Sequence, residues 1–219
     1  MTMAHEETLE VVERTGVVAI IRLKDASLVR GLVDALLEGG VRALEITMTV
    51  PGAIDLIREI VPSLPAGLSL GAGTVLDGAT ASRVLDAGAA FIVTPILQHD
   101  VIEVCRDRRV PVMPGCFTPT EIFEAAAAGA DIVKVFPATS LGPGYLKDVH
   151  GPLPHLKLMP TGGVSLENAA AWIRGGAVAV GIGSALLGPA ALAARNFASI
   201  RDAAATLIAD VARAKEGRS

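Results

Sequence analysis

Residues 128–137 of this 219-residue chain, Ala-Gly-Ala-Asp-Ile-Val-Lys-Val-Phe-Pro, contain the unit that decides its fold. A glycine ends a helical stretch, and an apolar run rich in β-branched residues follows almost at once. Glycine often ends helices, and β-branched residues favour strands. Residues 132–137 are therefore predicted to be a strand that directly follows a helix.

The same unit recurs along the chain. Eight apolar runs bounded by glycine or proline are predicted to be strands, at residues 17–22, 43–47, 69–74, 91–95, 111–116, 132–137, 157–163 and 178–184. Their starts are 20 to 26 residues apart. The clearest predicted helices between them are residues 28–38, 53–60, 79–87, 120–128 and 166–174. Strands that alternate with helices at this spacing predict a parallel sheet with right-handed crossovers.

The number and composition of the strands favour a closed sheet. The strands are nearly continuous apolar runs, as expected when both faces of a parallel sheet are covered. The predicted fold class is α/β, a (β/α)8 TIM barrel in a single domain over residues 1–219. An extra N-terminal helix at about residues 3–15 and a C-terminal helix at about residues 195–215 are expected to flank the barrel.

Composition excludes several classes of protein. Apolar residues make up 51% of the chain, aromatic residues 3%, and the net charge is −4, which argues against disorder and against a nucleic-acid surface. The two cysteines, Cys105 and Cys116, fit neither a disulfide scaffold nor a metal site, so a reducing cytoplasm is expected. Neither a secretory signal nor a membrane-spanning run is recognised.

Lys134 is the residue that most needs an explanation, because it lies between Val133 and Val135 in a predicted strand. A buried unpaired charge is costly. If side chains alternate, Lys134 faces the barrel interior and the valines face the helices. A desolvated amine loses its proton more readily and can attack a ketone, so we expect a Schiff base with a keto acid. The alternative is a buried ion pair with Glu45.

Glu45 and Arg22 are the other ionisable residues expected at the site, which in this architecture lies at the carboxyl ends of the strands. Glu45, flanked by apolar residues in the second strand, is expected to transfer protons, or else simply to neutralise a cation. Arg22 ends the first strand and is expected to bind a substrate carboxylate; the alternative is a solvated charge.

Glycine-containing segments after the last two strands predict a phosphate site. Residues 160–164 and 181–184 could expose backbone N–H groups, with Ser184 starting a short helix. The alternative is that these glycines only form tight turns. A similar but weaker segment is 71–74, placed after the third strand. The histidines fall in helices or loops, so neither a metal site nor a cofactor is expected, and Cys116 is expected to be a small apolar filler near the pocket.

These segments, taken in order, resemble one family. They are VAIIR at 18–22, GGVRALEIT at 39–47, GAGTV at 71–75, IVTP at 92–95, MPGC at 113–116, VKVFP at 133–137, PTGGV at 160–164 and GIGS at 181–184. Together they are similar to the 2-keto-3-deoxy-6-phosphogluconate aldolases, a family that includes 4-hydroxy-2-oxoglutarate aldolases. The resemblance spans nearly the whole chain.

The resemblance implies a metal-free class I aldolase of the Entner–Doudoroff pathway with a (β/α)8 barrel, usually a homotrimer. It would cleave 2-keto-3-deoxy-6-phosphogluconate to pyruvate and glyceraldehyde 3-phosphate. Lys134 would form the carbinolamine and then the imine, while Glu45 transfers protons. The other implied site residues are Thr74 at the pyruvyl carboxylate, Phe136 at its methyl group, Pro95 and Thr161 elsewhere on the substrate, and Gly162, Gly163, Gly183 and Ser184 around the phosphate.

One departure from the family concerns the substrate carboxylate. Many members have an arginine shortly after the strand-two glutamate, where this chain has Met-Thr-Val-Pro at 48–51. Arg22 is the available substitute. The preferred substrate stays open among the phosphogluconate, the phosphogalactonate epimer and 4-hydroxy-2-oxoglutarate. Two other classes also remain: a sugar-phosphate isomerase or epimerase without a Schiff base, and a non-catalytic oligomeric scaffold.

Overall fold

A computed structural model describes residues 5–217, in which helices and parallel strands alternate. The strands are β1 (Val17–Ile21), β2 (Ala43–Thr47), β3 (Ser69–Gly73), β4 (Ile92–Val93), β5 (Val112–Met113), β6 (Gly115–Cys116), β7 (Val133–Val135), β8 (Leu158–Pro160) and β9 (Val180–Ile182). The helices are α1 (His5–Thr15), α2 (Val29–Glu38), α3 (Ala53–Ile60), α4 (Gly78–Asp86), α5 (His99–Asp107), α6 (Pro119–Ala127), α7 (Pro143–His150), α8 (Ala169–Arg174), α9 (Ser184–Leu187), α10 (Pro189–Ala193) and α11 (Phe197–Glu216). No helix of residues 5–217 is both long and apolar enough to cross a membrane.

The strands form a curled parallel sheet in two hydrogen-bonded parts. One part has the order β5-β4-β3-β2-β1-β9 and the other β6-β7-β8. On one side, the parts are linked by a bridge between Thr161 and Gly181. On the other, the Lys134 N–H donates to the Pro114 carbonyl, between β5 and β6, at 2.9 Å. The fold is therefore α/β with a curled parallel sheet.

Each predicted strand and helix is present among the described residues, with three adjustments. The strands predicted at 91–95, 132–137, 157–163 and 178–184 are shorter in the structure, where they are β4, β7, β8 and β9. The predicted fifth strand, residues 111–116, is divided into β5 and β6 at Pro114, which has no N–H with which to continue a ladder. The N-terminal helix was predicted at about residues 3–15. Its first two residues, Met3 and Ala4, lie outside the described part of the chain. Helices α2, α4, α6 and α8 are each followed by a glycine with positive φ, as the glycine pattern predicts; these are Gly40, Gly88, Gly129 and Gly176.

The apolar core has two layers, separated by the sheet. The outer layer lies between strands and helices and includes Val133 and Val135. The inner layer lies within the curl and includes Phe91, Met113, Ile132 and Met159, with Val11 and Val12 of α1 packed into the same cluster. Side chains therefore alternate along β7 as predicted, and α1 contributes to the amino-terminal part of the interior.

This layering leaves the other end of the interior for polar groups. Glu45 and Lys134 each follow an inner-layer residue, Ala43 and Ile132 respectively, by two positions. Because side chains two apart share a face of a strand, both lie one layer nearer the carboxyl ends. Both are buried, at 1% and 4% relative exposure.

The packing of α1 can be tested with a matched pair of variants on that helix. Val12 is fully buried in the inner layer, so Val12→Ala should lower the free energy of unfolding by about 2 kcal/mol through lost methyl groups and the remaining cavity. Glu10→Ala, on the exposed face, should change it by less than about 0.5 kcal/mol. Chemical denaturation measures both, and equal effects would contradict the packing role of α1.

Candidate active site

A cavity of about 280 Å³ lies at the carboxyl ends of β1, β7, β8 and β9. It brings together eight of the residues predicted for the site, namely Arg22, Lys134, Phe136, Thr161, Gly162, Gly163, Gly183 and Ser184. Its remaining lining is Ile20, Val164, Gly181, Ala185 and Leu187. Strands that are distant along the chain thus converge on one pocket at the end expected for this architecture.

The Lys134 side chain is held in the pocket in a largely apolar setting. Its Nζ lies 4.8 Å from the centroid of the Phe136 ring, a cation–π distance. Burial lowers the pKa of Lys134 below that of an ordinary lysine; Glu45 opposes this shift and Arg22 adds to it. A larger fraction of the amine is therefore unprotonated at neutral pH, which is the form that attacks a carbonyl group.

Glu45 is the charge partner of Lys134 but is not hydrogen-bonded to it. Burial raises the pKa of the Glu45 carboxyl, while Lys134 and Arg22 oppose the shift. Among residues 5–217, neither carboxylate oxygen has a hydrogen-bond partner. A carboxyl group with a raised pKa and free oxygens is suited to accept and return protons near neutral pH.

Arg22 lies at the rim of the pocket beside Thr74. Its Nη2 donates a hydrogen bond to Thr74 Oγ1 at 3.2 Å. Thr74 has a φ of 58°, a left-handed conformation that is unfavourable for a β-branched residue and costs on the order of 1–3 kcal/mol. Thr49, near the position of the family's missing arginine, instead shares a 2.7 Å hydrogen bond with Thr47. Arg22 is thus the guanidinium that the fold supplies to this cavity.

Another part of the cavity lining is built from Thr161 and the glycines that follow it. The Thr161 N–H donates to the Val135 carbonyl at 2.9 Å, and its carbonyl accepts from the Ala138 N–H at 2.9 Å. Its buried hydroxyl has no partner among the described residues. Gly162 and Gly163 have φ values of 82° and 73°, a tight turn of a kind that can present backbone N–H groups to an anion.

Three predicted site residues lie outside the lining of this cavity. Glu45 interacts electrostatically with Lys134, which lines the cavity. Thr74 accepts a hydrogen bond from Arg22, which also lines it. Pro95 lies behind Gly115, where a Cβ would be 2.4 Å from the proline carbonyl. Gly115 pairs with Lys134 in register, so Pro95 borders the strand next to β7. A role for Pro95 in binding substrate remains a prediction.

Other predicted features have roles in the fold. Residues 71–73 of the weaker glycine segment lie within β3, as the predicted strand at 69–74 implies, and the segment is not part of this cavity's lining. Cys116 packs in the outer core with its pKa raised by burial to about 12, which makes its thiol unreactive. His5 contacts Asp131 at 3.0 Å. Among residues 5–217 there is no cluster of three or more potential metal ligands.

Several lining residues were not predicted from the sequence. Ala185 and Leu187 enter the cavity from α9, directly after the predicted Ser184. Ile20 lies two residues before Arg22, on the same face of the strand. Extending the predicted site by two positions before Arg22 and by three positions after Ser184 would have found all three.

The chain is similar to known proteins of one family. The family model described as "KDPG and KHG aldolase" matches residues 9–203. A probable 2-dehydro-3-deoxy-6-phosphogalactonate aldolase of Rhizobium meliloti is 39% identical over 173 residues, which are 78% of this chain and 82% of that protein. A 2-dehydro-3-deoxy-phosphogluconate aldolase of Pseudomonas aeruginosa is 41% identical over 143 residues, which are 65% of this chain and 64% of that protein.

One similar solved structure contains a covalent intermediate with pyruvate. The KDPG aldolase of Legionella pneumophila, with pyruvate captured as a covalent carbinolamine intermediate, has a TM-score of 0.84 and 27% identity and covers 91% of this chain and 97% of its own. The fold, the buried amine and these likenesses define a lyase, an aldolase of the Schiff-base type. The chain belongs to the KDPG and KHG aldolase family.

The electrostatic environment of Lys134 predicts opposite effects of two substitutions on its pKa. The Glu45 charge raises this pKa, so Glu45→Gln should lower it further; Arg22 lowers it, so Arg22→Ala should raise it. Titration of the lysine ¹³Cε resonance by NMR measures both, with the signal assigned by its loss in Lys134→Met. Shifts in the same direction for both variants would contradict the arrangement.

Proposed function

We propose that the protein cleaves 2-keto-3-deoxy-6-phosphogluconate to pyruvate and glyceraldehyde 3-phosphate. The observation that carries this proposal is the buried Lys134 amine in a cavity that is also lined by Arg22 and by the Gly162–Gly163 turn. Such a cavity offers a nucleophile together with a site for a carboxylate and a site for a phosphate. The substrate has a ketone between groups of these two kinds.

The reaction begins when the neutral Nζ of Lys134 attacks the C2 carbonyl carbon. The carbinolamine takes up a proton and loses water to give an iminium, and the iminium accepts the electron pair of the C3–C4 bond as that bond breaks. Glu45 takes the proton of the C4 hydroxyl, so the aldehyde leaves and an enamine of pyruvate remains. Glu45 then returns a proton to C3, and water hydrolyses the imine to release pyruvate and the free amine.

Binding at both ends places the C3–C4 bond at the imine. Arg22 and Thr74 hold the carboxylate, and Phe136 and Pro95 border the pyruvyl carbons. Thr161, whose hydroxyl is free among the described residues, contacts the substrate hydroxyl groups. Gly162, Gly163, Gly183 and Ser184 surround the phosphate.

The closest alternative substrates differ only beyond C3. The phosphogalactonate epimer has the opposite configuration at C4, where the Thr161 hydroxyl is proposed to act, and 4-hydroxy-2-oxoglutarate has a carboxylate in place of the phosphorylated chain. The glycine turn favours a phosphate over a compact carboxylate. An isomerase or epimerase that leaves Lys134 unmodified is not proposed, because the family and its named relatives are aldolases.

The proposed architecture is a closed (β/α)8 barrel in a single domain, with α1 as its extra helix and a homotrimer as its assembly. Hydrogen bonds on both sides of the two sheet parts support closure. Four exposed apolar side chains support self-association; Leu76, Ile96 and Phe117 follow β3, β4 and β6, and Phe123 lies on α6. Two buried free cysteines fit a cytoplasmic location.

Cleavage assays on a panel of keto acids test the proposed substrate. The phosphogluconate should give the highest kcat/KM, followed by its galactonate epimer, with 4-hydroxy-2-oxoglutarate lower because it lacks the phosphate. Lys134→Met should be inactive on all three while keeping the fold, as judged by circular dichroism. Turnover by Lys134→Met would contradict the mechanism, and a preference for the unphosphorylated acid would contradict the phosphate site.

Arg22→Ala should raise KM about 10- to 100-fold, because a charge-assisted hydrogen bond to a carboxylate contributes about 1.5–3 kcal/mol. The matched control is Lys24→Ala, which removes an exposed cation two residues away. Steady-state kinetics on the phosphogluconate measure both variants. An unchanged KM in Arg22→Ala, or an equal rise in Lys24→Ala, would remove Arg22 from the site.

A further inference from the structure

Gly73 lies where the Glu45 carboxylate needs space. A Cβ added at Gly73 would lie 1.7 Å from Glu45 Oε1, 2.3 Å from Cδ and 2.6 Å from Cγ, and these are its three nearest atoms. Glu45 pairs in register with Gly71, so its side chain extends along the sheet to the next inward position of β3. The carboxylate therefore occupies the volume that a side chain at residue 73 would fill.

The backbone at Gly73 is held in place. The Gly73 carbonyl accepts a hydrogen bond from the Met48 N–H at 2.7 Å. Gly73 also pairs in register with Thr47 of β2 and with Val93 of β4. Gly73 has no positive φ, so an alanine could adopt its conformation. A methyl group at this position would therefore displace the Glu45 side chain from Cγ outward rather than the strand.

We propose that Gly73 is a positioning residue for the aldolase reaction: its missing side chain lets the Glu45 carboxylate lie in the sheet interior beside Lys134. The inference rests on the proposed function, in which Glu45 carries the protons. The same relation occurs across the pocket, where a Cβ at Gly181 would lie 2.2 Å from the Thr161 hydroxyl oxygen. Each of these two polar side chains uses the space left by a glycine on another strand.

Gly71 provides a matched control, because it lies two residues before Gly73 on β3 and therefore on the same face of the strand. A Cβ at Gly71 would lie 2.4 Å from atoms of the Phe91 ring, which is fully buried in the inner core. That ring cannot swing aside, so Gly71→Ala should destabilise the fold without moving the carboxylate. Gly73→Ala should do the reverse, because the atoms that have to move are the Cγ and carboxylate of the unbranched Glu45 side chain.

The test uses a partial reaction that reports on the carboxylate. Pyruvate forms an imine with Lys134, Glu45 removes a proton from the methyl carbon to give the enamine, and a deuteron from D₂O returns to that carbon. In Gly73→Ala the rate of this exchange, followed by ¹H NMR, should fall about 10²-fold, as for a catalytic group moved by about 1 Å. Borohydride should still trap the imine of pyruvate with Lys134 in this variant. The nearest contacts of the new alanine methyl group at residue 73 are all with Glu45.

A double-mutant cycle decides whether Gly73 acts through Glu45. Glu45→Gln alone should lower exchange strongly, and adding Gly73→Ala should lower it no further. Exchange within twofold of wild type in Gly73→Ala would overturn the inference, and so would a further loss in the double variant. If Glu45→Gln itself exchanges normally, the proposed role of Glu45 fails first, so the two failures are distinguishable.

Thermal unfolding keeps the inference testable if Gly73→Ala is unstable. Glu45→Ala removes the atoms that the new methyl group would meet, so the double variant Glu45→Ala, Gly73→Ala should regain the melting temperature of Glu45→Ala. Gly71→Ala should not be rescued in that background, because its clash is with Phe91. A melting temperature that stays low in the Gly73 double variant would contradict the positioning role.

Discussion

The burial of the Lys134 amine in a parallel strand is the constraint on which the rest of the site depends. A protonated amine loses its hydration there, and the loss lowers its pKa. The same burial raises the pKa of Glu45, so the two groups are brought towards a range in which a proton can move at neutral pH. The reactivity proposed for Lys134 thus follows from the exclusion of water around two side chains that partly compensate each other's charge.

The apolar core makes this burial possible. Inner-layer side chains such as Phe91, Ile132 and Met159 fill the sheet interior below the reactive pair, and Val12 of α1 packs with them. Above that layer, glycines on β3 and β9 leave space for Glu45 and Thr161. Branched side chains normally fill the interior of a closed (β/α)8 barrel. In the curled sheet of this protein, glycines leave space at the carboxyl end of the interior.

Much of this arrangement could be predicted from the sequence, because its signals are local. A lysine between valines is conspicuous, a β-branched run predicts its strand, and alternation predicts which way Lys134 points. Spatial relations between strands could not be predicted. The closeness of Gly73 to Glu45 depends on the register of β2 and β3, and the division of the fifth strand depends on how Pro114 sits between its neighbours. The hydrogen bond from Arg22 to Thr74 joins positions 52 residues apart and depends on a strained backbone at Thr74.

The identity of the lysine that forms the covalent adduct tests the central claim most directly. Incubation of the intact protein with pyruvate and borohydride, followed by peptide mapping, measures it at every lysine in one experiment. The account predicts one reduced pyruvyl adduct, on Lys134, with the exposed Lys24, Lys147 and Lys157 unmodified at the same concentration. An adduct on another lysine, or none on a folded protein, would contradict it.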